Sequence, residues 1–184
     1  MQVSGWSFWY TGALRPGKDL RMWVSGEARG SQENLILHPE ARSLLSKWAT
    51  LKGDRPAPNR GDLELRQFRR QAPWLFIIAP EGEAGIFTYR LAGTALCAFL
   101  KKEMTGSDFL AGWDRFERGA LVRALSAVTE SLQPAHFRIR YLTDDLQRIG
   151  ADMLALPIHA RDGRSVHVLG GLFPHGIPDI WSYQ

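Results

Sequence analysis

The spacing of apolar residues changes period along this chain, and the order of those changes limits what it can fold into. Over 39–52, Leu44, Leu45, Trp48 and Leu51 recur at helical spacing, while Glu40, Arg42, Ser43 and Lys47 lie elsewhere on the turn. Pro39 suits a first helical turn and Gly53 a stop, so a helix is predicted over 39–52. The prolines of 53–60 end it, and a short helix is expected over 62–71 with Leu63, Leu65 and Phe68 turned inward. Two strand-like runs follow. The first, 74–79, is rich in large and β-branched residues; in the second, 86–92, Phe87, Tyr89 and Leu91 alternate with Thr88 and Arg90. The turn-like cluster 80–85 between them makes the pair a hairpin. A short helix is expected over 95–102.

Helical spacing returns over 113–132 through Trp113, Phe116, Ala120, Leu121, Ala124, Leu125, Val128 and Leu132, and Pro134 closes it. Strands are expected over 135–143, 153–160 and 165–173, the last two joined by Asp162-Gly163, a strong hairpin signal. Two strand groups separated by helices predict an α+β domain built on a five-stranded antiparallel sheet.

Composition narrows the class. A chain of 184 residues holds one domain with a flanking segment, and 45% hydrophobic against 23% charged residues exclude wholesale disorder. No apolar run approaches the roughly 20 residues that span a bilayer. No basic residue precedes Arg15 and no apolar leader core is visible, so a soluble, cytoplasmic protein is expected. A single cysteine, Cys97, rules out a disulfide framework or a cysteine-rich zinc site, and its apolar neighbours suit a packing role. The net charge is +4, concentrated over 52–70 in Lys52, Arg55, Arg60, Arg66, Arg69 and Arg70. Asp54, Asp62 and Glu64 are mixed among them, which favours a solvated face over a phosphate track.

Residues 1–38 differ from the rest. Trp6, Phe8, Trp9, Tyr10 and Trp23 sit among glycine, serine and scattered charge without a sustained period. The segment fits an arm that docks on the domain or on a partner, or a poorly ordered terminus. It is left unassigned, and the domain proper is set at 39–184 with the helix at 39–52 as its flank.

The motifs, in order, resemble the PAS domain family, in particular its short stand-alone alphaproteobacterial members. They are Trp48-Ala49-Thr50-Leu51-Lys52-Gly53, then Arg55-Pro56-Ala57-Pro58-Asn59-Arg60-Gly61-Asp62, then Pro73-Trp74-Leu75-Phe76-Ile77-Ile78. Tyr89-Arg90-Leu91-Ala92-Gly93-Thr94, Met104-Thr105-Gly106 and Leu154-Ala155-Leu156-Pro157 complete the series. Family members tend to place a glycine and an aspartate before the Thr-Gly pair, where this chain has Lys101-Lys102-Glu103. The resemblance implies a PAS-like fold, its helices on one face of the five-stranded sheet and the N-terminal helix flanking it. It also implies a sensory or regulatory role, in which occupancy of a small cavity alters dimerisation or partner binding. The last strand runs into a segment with Pro174 and Pro178 that cannot continue as a signalling helix, so output to a separate effector protein is expected.

Chemistry-bearing constellations are sparse. A symmetric turn at Asp162-Gly163 sets His159 opposite Val166 and His167 opposite Ile158, so these histidines point to opposite faces and no metal site is expected. Asp144-Asp145 reads as a solvated turn, no nucleophile elbow or phosphate loop is present, and no catalytic residue is assigned. Candidate pocket-lining residues are Trp113, Phe116, Tyr89, Arg90 and Phe137, for which plain core packing is the alternative. Strand parity puts Phe137, Ile139 and Tyr141 on one face and His136, Arg138 and Arg140 on the other. His136 and Arg138 therefore join Leu44, Leu45, Trp48 and Leu51 as interface candidates; the helix at 39–52 either covers the outer sheet face or forms a homodimer contact. Haem is not supported, because no histidine lies on the long helix; flavin is not supported, because Cys97 lacks the required surroundings. The expected cargo is colourless or absent. The alternative function is nucleic-acid binding through 52–70, with Phe68 and Trp74 for base stacking.

Overall fold

A computed structural model describes residues 21–25, 38–82, 85–113, 115–142 and 148–176, with the backbone alone at 21–25, 65, 115–116, 140–142 and 148. The elements run β1 (Arg21–Ser25), α1 (Pro39–Lys52), β2 (Leu75–Pro80), β3 (Phe87–Ala92), α2 (Thr94–Phe99), α3 (Arg115–Ser131), β4 (Ala135–Leu142), β5 (Arg148–His159) and β6 (Val166–Pro174). The strands form one sheet in the order β1-β4-β5-β6-β2-β3, with every neighbouring pair antiparallel. The five expected strands are its body. A sixth, Arg21–Ser25, joins β4 at the edge, so part of the segment read as an unassigned arm belongs to the sheet. Trp6, Phe8, Trp9 and Tyr10 lie outside the described residues, as do Asp144 and Asp145.

Alternation along each strand splits the apolar residues between two cores. On the inner face Phe76, Ile78, Phe87, Tyr89, Phe137, Ile139, Met153, Ala155, Val168 and Leu172 pack against Leu121, Ala124, Leu125 and Val128 of α3. On the outer face Leu75, Ile77, Leu154, Leu156, Ile158, Leu169 and Phe173 meet Ala41, Leu44 and Trp48 of α1. The flanking helix therefore covers the outer face, and Leu44 and Trp48 are consumed within the fold, at 0% and 3% exposure. Leu45 and Leu51 pack partly buried against the same cluster.

Local chemistry explains the boundaries. Lys52 sits in the last turn of α1, and Gly53 closes it at φ +54°, a conformation glycine adopts without the Cβ penalty. The Trp48 indole N–H donates to the Pro157 carbonyl across 2.8 Å, fastening α1 to β5. Pro157 is tolerated inside a central strand because β4 pairs with β5 only as far as Ala155. Gly170 and Gly171 let rings lie flat on both faces. A Cβ at Gly170 would meet the Phe76 ring at 2.0 Å, and one at Gly171 the Phe173 ring at 2.7 Å.

Three expected boundaries move. The helix expected over 62–71 is instead a pair of 3-10 turns, Arg60–Asp62 and Leu65–Phe68. The Asp62 carboxylate accepts the Asn59 backbone N–H at 2.9 Å and the Arg55 guanidinium at 2.7 Å, which holds the chain in a tight turn. Strand β5 begins at Arg148 rather than 153, because pairing with β4 extends to Arg148↔Leu142 through the polar residues that hide it in sequence. The short helix expected over 95–102 is Thr94–Phe99, and the chain then turns through Lys101 at φ +52°.

Candidate functional site

The inner face gathers an aromatic cluster. Phe76 lies 5.5 Å from Phe109 and 5.7 Å from Tyr89, Tyr89 lies 5.4 Å from Phe109, and Phe109 lies 5.9 Å from Trp113, all between ring centroids. The backbone holds this set in place. Gly106 N–H donates to Tyr89 O at 2.8 Å, Tyr89 N–H to Ser107 O at 3.0 Å, and Phe109 N–H to Phe87 O at 2.7 Å. The segment carrying Phe109 is thus stitched to β3 like an extra strand. Burial pushes the Tyr89 phenol well above its usual range, reinforced by the neighbouring Cys97 and Asp108 side chains, so it stays a neutral hydroxyl. Trp113 is 5% exposed, and its indole N–H is buried with no hydrogen-bond partner among the described residues. Glu117, in the first turn of α3, is a second buried polar residue, 2% exposed.

A second cluster forms at the opposite end of the sheet, on the outer face. Asp152 of β5 has no solvent exposure and sits between Arg138 of β4 and Phe173 of β6. Its Oδ1 meets His136 Nε2 at 2.8 Å, with Arg138 Nε at 4.0 Å, while its Oδ2 meets His175 Nε2 at 3.3 Å. The same Oδ2 accepts the backbone N–H of His38 at 2.6 Å. Burial by itself would raise this carboxyl's pKa. The hydrogen bonds from His136 and His38, with the charges of His136 and His175, outweigh burial and hold the carboxyl below the usual carboxylate range.

The family model for the PAS domain matches residues 36–173. This chain belongs to the PAS domain family. PAS domains are sensory modules, and that coarse role comes with membership. Among solved structures the PAS chain is similar to RsLOV, at 15% identity and a TM-score of 0.43, over 64% of this chain and 73% of that one. It is also similar to an RNA-binding light-oxygen-voltage receptor, at 12% identity and a TM-score of 0.42, over 88% of this chain; it spans 40% of that receptor. No curated protein matches the sequence.

Within the PAS fold the candidate pocket residues separate. Trp113, Tyr89 and Phe137 come together in the inner core, each at most 5% exposed. Phe116 is carried by α3, and its side chain lies outside the described residues. Arg90 does not join them: it points away from Tyr89 and pairs with Glu81 at 2.5 Å, 48% exposed. The bulge between Ile77 and Ile78 shifts pairing along β3, but it leaves Tyr89 and Arg90 on opposite faces. His136 and Arg138 occupy the outer face as their parity predicts, engaged with Asp152. The apolar face of α1 that suggested a homodimer contact is filled by the sheet of its own chain. Asp152, His38 and His175 were not singled out in the sequence. Asp152 had a signal, as the one acid within the apolar run 149–158; the histidines had none, since only the fold brings them to it.

Three of the six basic residues over 52–70 are ion-paired. Arg55 pairs with Asp62 at 2.7 Å, Arg66 with Glu64 at 3.5 Å and Arg70 with Glu40 at 3.3 Å. Phe68 and Trp74, the two rings a stacking surface would use, are each 2% exposed inside the outer-face core. His159 stands opposite Val166 and His167 opposite Ile158, the register that directs the two imidazoles to opposite faces. Among the described residues no three acidic, histidine or cysteine side chains gather as metal ligands, and no helix is long and apolar enough to cross a membrane.

Proposed function

We propose that this PAS chain is a non-catalytic sensory module that binds a small molecule on its inner face, between α3 and the sheet, and passes the signal to a separate effector protein. One observation carries the reading. The Trp113 indole N–H is buried among aromatic rings with no acceptor among the described residues. Such a donor costs about 1–3 kcal/mol when unpaired, and a ligand presenting an acceptor atom to it removes that cost. Tyr89, kept neutral by burial, adds a hydroxyl to the same cluster. The ligand this favours is a compact, largely apolar molecule with one or two acceptor oxygens or nitrogens.

Native mass spectrometry of the freshly purified full chain, compared with the denatured sample, tests the proposal. A mass excess lost on denaturation is expected, and Trp113→Phe, which keeps the ring and removes the donor, is expected to abolish it. The variant alone should be no less stable than the parent. A bare mass under gentle conditions, or full retention of the excess in Trp113→Phe, counts against this site. The same spectrum reads the oligomeric state.

A further inference from the structure

Helix α1 begins on a histidine. His38 takes the N-cap position, where serine, threonine, aspartate or asparagine usually stands, and its Nδ1 accepts the backbone N–H of Glu40 at 3.2 Å. An imidazole can accept through that nitrogen only while it is neutral; in the protonated ring both nitrogens carry hydrogen and donate. Protonation also places a positive charge at the end of the helix where the aligned peptide dipoles already converge positively. Both effects act against the cap. His38 is therefore unlike an ordinary capping residue, whose acceptor persists across the neutral and mildly acidic range.

We propose that His38 is a proton-operated cap: the neutral ring closes the start of α1 on the sheet, and acidification through the histidine range opens it. The ring is seated rather than loose. It stacks on Phe173 of β6 at 5.7 Å with planes 14° apart, and lies 5.6 Å from the His175 ring. Its own backbone N–H is held by Asp152. The groups facing this corner are Asp152 from β5, His136 and Arg138 from β4, His175 beyond β6 and Glu40 from α1 itself. Asp152 and Glu40 draw a proton toward the ring. Arg138, and His136 and His175 when charged, oppose it. What the cap controls is the seating of the first turn of α1 on the outer face of the sheet, with Ala41 fully buried just inside it.

Amide exchange on the full chain, corrected for the intrinsic pH dependence, tests this between pH 7.5 and 5. The amides of the first turn of α1 are expected to lose protection about fivefold on acidification, the size of a lost N-cap, while those of β5 and β6 stay protected. In His38→Asn, whose side chain caps at every pH in the range, the first turn should hold its protection throughout. A parent whose first turn does not respond overturns the proposal, as does a His38→Asn variant that responds as the parent does; the second result would move the titration to His136 or His175. If the variant folds poorly, NMR of the parent decides. The Glu40 amide must shift with the same midpoint as the His38 ring, and a Glu40 amide that ignores that titration refutes the cap.

Discussion

Asp152 is a carboxylate with no solvent exposure, on the middle of a strand, contacted by groups from three other parts of the chain. A buried charge of this kind is retained at modest cost only when its hydrogen bonds are complete. An asparagine there keeps one acceptor oxygen and turns the other into a donor, so either His136 or the His38 N–H loses its acceptor. Asp152→Asn is expected to lower stability by about 1–3 kcal/mol at neutral pH, read as a shift in urea midpoint with the slope unchanged. The sign of the pH effect follows from the depressed carboxyl. Its stabilisation is complete above the unfolded carboxylate's value, about 3.9, and is lost as pH falls through the lower folded value. The parent's urea midpoint should therefore drop below about pH 4 more steeply than that of Asp152→Asn. Parallel curves would assign the acid sensitivity to Asp62, Glu81, Glu103 and Asp162, whose carboxyls are also depressed by hydrogen bonds.

At the scale of elements, α1 is a structural cover. Its 14 residues were readable because proline, glycine and a helical apolar stripe agree over the same span. Whether that stripe met the sheet or a second subunit was not readable, since both present the same apolar surface. The fold answers by burying Trp48 against Leu154, Leu156 and Phe173 and tying its N–H to Pro157. Trp48→Ala is then expected to cost about 3–5 kcal/mol, and Trp48→Phe about 1–3 kcal/mol through the orphaned Pro157 carbonyl. Thermal unfolding with sedimentation separates the two roles. A helix that served chiefly as a dimer contact would yield a Trp48→Ala protein of altered oligomeric state and undiminished melting temperature. The 62–71 segment failed as a predicted helix for a local reason: one carboxylate, Asp62, closes a tight turn that competes with helical continuation.

Across the whole molecule the inner and outer cores share the same strands. Met153 and Ala155 face α3, while Leu154 and Leu156 face α1. Neither core can come apart without exposing the reverse side of β5 and β6. The described domain is expected to unfold in one cooperative transition, with tryptophan fluorescence and far-UV circular dichroism coinciding in urea. Trp74 on the outer side and Trp113 on the inner side report both cores. Separate midpoints would mean that α1 and its core come away independently of the inner layer.

The sequence by itself determined the order of the five body strands and of α1 and α3, the parity of β4 and the hairpin register at Asp162-Gly163, because these depend on periodicity and turn chemistry confined to neighbouring residues. The bulge that sends Leu91 to the outer core while Phe87 and Tyr89 stay in the inner one was not legible. The sequence also carried the family, through short motifs in a fixed order. It did not reach the edge strand Arg21–Ser25, whose pairing with β4 is a contact more than a hundred residues away in the chain. Nor did it reach the corner where His38, His136 and His175 converge on Asp152. Those four residues come from three strands' neighbourhoods and a helix start, and no local pattern links them. Tertiary structure alone brings them within hydrogen-bonding distance, and there burial turns an ordinary aspartate and an unusual helix cap into a single proton-sensitive junction.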